Sequence, residues 1–162
     1  MYIKNTKIVV LISVAVIIIG LATAILLGKK QDEHFAEEAE QFDKANSAYQ
    51  AKDYKQALQL IQPLVEEHAQ NEKINYLASL ITYSAGYYTD AAKYAQTTLD
   101  LNPHRVEKPL FMMHLGLAYF FAKDYEKARI VFQHCLDQNF QSEEMPNYRE
   151  LIEEYIAKIP ND

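Results

Sequence analysis

Apolar residues fall into two regimes along the chain. Residues 8–27 form a run of 20 positions without a charge, flanked by Lys7 and by Lys29 and Lys30. Beyond residue 30 the apolar positions instead recur every three or four residues. Phe35, Ala39, Phe42, Ala45 and Tyr49 keep that spacing with no Gly or Pro between residues 30 and 51, which predicts a helix with one apolar face. Near the end, Tyr148, Leu151, Ile152, Tyr155 and Ile156 form another stripe, with Glu150, Glu153 and Glu154 opposite. Gly (4) and Pro (5) are scarce, and no run resembles a strand bounded by turns, so the expected fold class is all-α.

A short device recurs. Tyr54-Lys55-Gln56-Ala57, Tyr88-Thr89-Asp90-Ala91 and Tyr125-Glu126-Lys127-Ala128 lie 34 and then 37 residues apart. A period near 34 predicts stacked helical hairpins. Ala45, Ser79 and Gly116 supply a small residue in each first helix, and Ala57, Ala91 and Ala128 one at the start of each second helix, where two helices must cross closely. The tyrosines sit at the turns and are expected to pack across each hairpin. Asp53 and Asp124 precede two of them as helix caps. Pro63 is expected to kink the second helix of the first hairpin, and Asn102-Pro103 ends the second hairpin. His104–Pro109 accounts for the three extra residues of the longer spacing, with Pro109 placed to start a helix.

These positions resemble the tetratricopeptide repeat family. The third unit carries the pattern best, as Leu115-Gly116, Tyr119, Asp124-Tyr125, Ala128 and Phe132. The second has Ser79, Gly86, Tyr88, Ala91, Ala95 and Pro103. The first departs from it, with Lys44 where Leu is expected and Ala48 where Tyr is preferred. The resemblance spans residues 39–140. It implies three repeats at about 39–72, 73–106 and 109–141, followed at 142–162 by a cap helix and tail that covers the end of the stack.

Ahead of the repeats we expect a short tail at residues 1–7, a transmembrane helix at 8–28 and a helical stalk or joint at 29–38. Twenty residues at 1.5 Å each span about 30 Å, the thickness of a bilayer's hydrocarbon core. A cleaved signal peptide is the rival reading, with Ala22-Thr23-Ala24 as the cleavage site, but Ile25-Leu26-Leu27 continues the apolar run past it. The absence of Cys here excludes a bacterial lipoprotein anchor. The Lys balance across the span is nearly even. The short N-terminal tail and free amine favour an inside N-terminus and repeats outside the cytoplasm. Abundant Lys, Ile, Asn and Tyr fit a low-GC bacterial genome.

Residues 31–162 hold all 22 acidic residues but 12 of the 16 basic ones, a formal charge of −10. That surface argues against nucleic acid and against close adhesion to anionic lipid. Cys135 is the single cysteine, so no internal disulfide forms, and a packed, inert thiol is expected. No two of the five histidines lie three or four residues apart on one helix with a carboxylate partner, so no zinc motif is readable, and no phosphate loop, nucleophile elbow or carboxylate pair on a pocket rim is seen. We therefore expect neither catalysis nor a metal or cofactor.

The resemblance also implies a concave surface lined by first helices. Carried over, its positions are Phe42, Asn46 and Tyr49, then Tyr76, Leu80 and Tyr83, then Met113, His114, Leu117, Phe120 and Phe121. The family's terminal-carboxylate clamp would fall on Phe42, Asn46, Leu77, Leu110 and His114, where only Asn46 fits. An apolar trough implies an amphipathic helix or extended apolar segment as ligand, unless the C-terminal helix fills it through Leu151, Tyr155 and Ile156. The expected function is a membrane-anchored protein–protein interaction module, an adaptor or assembly factor with membrane or envelope partners. Alternatives are a chaperone-like holder of translocating or unfolded segments and a self-associating scaffold.

Overall fold

The structure is a computed structural model that describes residues 2–138 and 145–160; the side chains of residues 2–19, of Ala22 and of Leu27 lie outside the described part. The described elements are helical: α1 (Tyr2–Gln50), α2 (Tyr54–Glu67), α3 (Glu72–Ser84), α4 (Tyr88–Leu101), a 3₁₀ turn (Pro103–Glu107), α5 (Pro109–Phe121), α6 (Tyr125–Asp137) and α7 (Tyr148–Lys158). The all-α expectation holds. The chain divides into two units, Met1–Glu40 and Gln41–Asp162.

In the first unit α1 leaves apolar side chains bare, with Leu21, Ile25, Leu26 and Phe35 all exposed. Among the described residues no helix is long and apolar enough to cross a membrane. The span expected at 8–28 falls largely on side chains outside the described part.

In the second unit the helices pair in sequence order: the end of α1 with α2, α3 with α4, α5 with α6. Each turn repeats one geometry at the 34- and 37-residue offsets. Lys52, Gly86 and Lys123 take left-handed backbone, with φ of 62°, 84° and 64°. The amides of Asp53, Tyr87 and Asp124 then reach back to the carbonyls of Ala48, Thr82 and Tyr119 at 2.9, 2.8 and 2.9 Å. This left-handed cap satisfies carbonyls that a helix end would otherwise orphan. Only Gly86 adopts the conformation without steric cost. Lys52→Gly and Lys123→Gly should therefore each stabilise the chain, by about 0.5–1 kcal/mol, in urea titrations; no gain at either site would mean that the lysine side chains contribute as much as the strain removes.

Asp53 and Asp124 cap as expected, accepting from Gln56 N at 3.0 Å and Lys127 N at 3.3 Å. Tyr54, Tyr88 and Tyr125 each pack on the ring five residues earlier, Tyr49, Tyr83 and Phe120, with centroids 6.2, 5.4 and 5.7 Å apart. Pro63 lies within α2, which runs as one helix past it. Pro63 is exposed, and so is Gln59, the residue one turn earlier whose carbonyl loses its donor, so water can reach the gap in the ladder.

Two cores follow from the small residues. Ala45, Ala57, Ile61, Leu64, Ala78 and Ile81 form the first. Ala91, Ala95, Leu115, Ala128, Phe132 and Ile152 belong to the second. At Gly116 a Cβ would stand 2.4 Å from Phe132 Cε1, so the ring lies directly on the backbone of α5 and a larger residue fits only if the ring shifts. α7 packs on α6, burying Tyr148 and Ile152, and Tyr148 Oη donates to the Pro109 carbonyl at 2.9 Å.

Candidate functional site

The first helices bring a set of rings together. Tyr83 touches His114, Phe121 and Tyr88, with centroids 5.1, 6.0 and 5.4 Å apart. Phe121 stacks on Tyr88 at 5.0 Å and meets Phe120 edge-on at 5.4 Å. Tyr155 of α7 closes the row, 5.0 Å from Phe120 and 6.0 Å from Phe121. Edge-to-face geometry sets the positive rim of one ring against the negative face of the next, so the row is stiff as well as apolar. Phe121 is 37% exposed and gives the row an accessible face.

Of the residues expected here, Tyr83, His114, Phe120 and Phe121 share this row. Leu80 and Leu117 are half-buried on the same helices, and Asn46 is exposed. Phe42 and Tyr49 are half-buried against the first core instead. Met113 corrects the expectation: it is only 4% exposed and serves as core packing, because its long flexible side chain fills the joint between helix pairs. Tyr76 is half-buried and committed to that joint as well. The Arg105 guanidinium lies 4.5 Å over its ring and 5.6 Å from that of Phe111, while its Nε–H donates to Glu72 Oε1 at 2.6 Å. Tyr88 and Tyr125 join the row from the turns, where packing across each hairpin was expected, and Tyr155 is one of the three residues through which the C-terminal helix was expected to reach the trough in the filled alternative. Tyr88 and Tyr125 both follow an aromatic residue by five positions at the repeat offset.

His114 is wedged between α5 and α3. Ser79 Oγ donates to the Tyr76 carbonyl at 2.7 Å, so the 3.2 Å contact between Ser79 Oγ and His114 Nε2 requires the histidine to donate. Burial lowers the His114 pKa to about 4, leaving a neutral ring at physiological pH. Burial likewise raises Tyr83 to about 12, with Tyr155 and Tyr88 adding to it, so its hydroxyl keeps its proton. Cys135 is buried and burial pushes its thiol up, away from the thiolate that nucleophilic chemistry needs.

With this geometry the sequence model of the tetratricopeptide repeat family matches residues 42–106 and again 76–139, together more than half of the chain. The chain belongs to the tetratricopeptide repeat family. Its fold is similar to the crystal structure of the Sgt2 TPR domain from Aspergillus fumigatus, with a TM-score of 0.60 and 21% identity over 78% of this chain and 87% of that one. It is also similar to the Arabidopsis OM64 TPR domain, with a TM-score of 0.58 and 16% identity over 75% of this chain and 94% of that one. No curated protein matches the chain in sequence. Domains of this family are typically protein-interaction modules and not enzymes.

Proposed function

We propose that this protein is a membrane-anchored adaptor or assembly factor built on three tetratricopeptide repeats. It captures an apolar helix or extended segment of a membrane or envelope protein on the aromatic row of its first helices. The observation that carries this reading is the continuous row from Tyr83 through Phe121 to Tyr155, open to solvent at Phe121. Rigid aromatic side chains lose little entropy on binding and present large apolar area, which makes them natural anchors. α7 buries Tyr148 and Ile152 against the last helix pair and lays Tyr155 on Phe120 and Phe121, so it covers one end of the row while Phe121 keeps an accessible face.

The anchor is residues 8–28, and its support is the uncharged run in the sequence together with the bare Leu21, Ile25 and Leu26. The repeats lie outside the cytoplasm in this reading.

Leu80→Asp combined with Phe121→Asp in the full chain is expected to abolish stoichiometric co-purification of the partner in mild detergent, with helicity by circular dichroism unchanged. Each buried charge at such an anchor costs several kcal/mol of binding. Retained capture would remove the row from consideration as the site. Alkaline carbonate should fail to extract the full chain from membranes and should release residues 31–162 expressed alone; extraction of both would sink the anchor.

A further inference from the structure

The second helices build two crevices of the same construction. One lies between α2 and α4 and holds about 350 Å³; the other lies between α4 and α6 and holds about 440 Å³. The repeat offsets map one onto the other: Gln62 onto Gln96, Thr82 onto Tyr119, Tyr87 onto Asp124 and Asp90 onto Lys127. In both, the glutamine amide donates to the carboxylate one turn later, Gln62 to Glu66 at 3.0 Å and Gln96 to Asp100 at 2.8 Å.

They differ in their cation. The α4–α6 crevice carries its own: Lys127 Nζ lies 2.8 Å from Asp124 Oδ2 and 5.2 Å from the centre of the Tyr119 ring. In the α2–α4 crevice Asp90 stands where that lysine would be. Among the described residues neither Glu66 nor Asp90 pairs with a cation. Lys93 approaches the Tyr94 ring at 5.9 Å, yet it lines the other crevice. Thr82 turns its hydroxyl onto its own helix, 2.7 Å from the Ala78 carbonyl, and offers nothing to the opening. The floor is apolar, from Ile61, Val65 and Ala78, and Tyr87 and Tyr94 form the walls. Glu66, Asp90 and the Tyr94 ring line the same opening, and burial, with the charges of Asp90 and Glu66 adding to it, raises the Tyr94 pKa.

We propose that the α2–α4 crevice is a second binding site, which takes a lysine or arginine side chain of a basic partner polypeptide. The alkyl stem lies on Ile61 and Val65, and the charged head sits between Glu66 and Asp90 against the tyrosine faces. A cation held there meets carboxylates and a tyrosine face, the same kinds of group that Lys127 meets within the chain, but supplied from different positions of the repeat. The formal charge of −10 over residues 31–162 favours a basic partner at longer range. The site is separate from the aromatic row and does not depend on it.

The test is methyl NMR on the full chain in mild detergent, following Ile61, Val65 and Thr82 in the crevice and Leu80 and Leu117 beside the aromatic row. The probe is N-acetyl-arginine methylamide, and N-acetyl-citrulline methylamide is the neutral control of nearly the same shape. Saturable shifts at the crevice methyls are expected with the arginine probe. Affinity should fall about fivefold with citrulline, and about fivefold in each of Asp90→Asn and Glu66→Gln, the effect of a partly shielded charge pair. Equal responses to the two probes would overturn the proposal, as would no shift up to about 100 mM arginine probe, well above a millimolar dissociation constant. Shifts confined to Leu80 and Leu117 would also overturn it, while leaving the aromatic row as a binding surface.

Discussion

Phe132→Ala should destabilise the chain by about 3–5 kcal/mol, a large share of a small domain's total. The ring is wholly buried, lies on the bare backbone of Gly116 and stacks on Tyr155 at 6.0 Å. Neither neighbour can collapse into the hole: Gly116 has no side chain, and Tyr155 is held by Phe120 and Phe121. The loss should register in urea denaturation and as faster amide exchange in α7, whose contact with α6 is weakened. Gly116→Ala should cost about 1–3 kcal/mol by overpacking. Combined with Phe132→Ala it should cost almost nothing further, because the clash is gone and alanine is the better helix former by about 1 kcal/mol. Additive losses would mean that the ring and the glycine are not in contact.

Acid should weaken the fold through His114. Its pKa in the folded chain is about 4, against an ordinary value of 6.5. The unfolded chain therefore binds more protons between those limits. The stability in question is fully present above pH 6.5 and is lost as pH falls toward 4, approaching about 3 kcal/mol in all. His114→Gln keeps a donor for Ser79 and removes the titration. The stability difference between the wild-type chain and this variant should shift against the wild type from pH 7 to pH 4.5, measured as urea midpoints. Parallel pH profiles would show that the ring is freely solvated and that the joint between α3 and α5 is looser than described.

The repeat positions were readable because each has a local physical cause. Asp53 and Asp124 cap helices through hydrogen bonds that span three residues. Ala57, Ala91 and Ala128 are small because helices cross there, and their spacing carries that requirement into the sequence. The left-handed turns were readable only at Gly86; Lys52 and Lys123 adopt the same backbone without any residue-type signal, because the surrounding cap forces it. The aromatic row was half readable. Tyr83, Phe120 and Phe121 came from the resemblance to the repeat family and Tyr88 from its place at the turn, whereas the contacts of Tyr155 with Phe120 and Phe121 join helices far apart in sequence, and no spacing along the chain reports them.

Met113 shows the limit most clearly. Its place in the repeat matches that of an open-face residue, but what stands opposite decides exposure, and there the next layer closes over it. The α2–α4 crevice is the converse case. Gln62, Glu66, Asp90 and Tyr94 read as solvated helix positions one by one, and only the approach of two second helices gathers them around a shared opening. Fold class, period, caps and the uncharged run at residues 8–27 follow from interactions between residues near in sequence. Burial, ring contacts and the lowered His114 pKa arise from packing between residues roughly 35 apart, which depends on how closely the helix pairs stack.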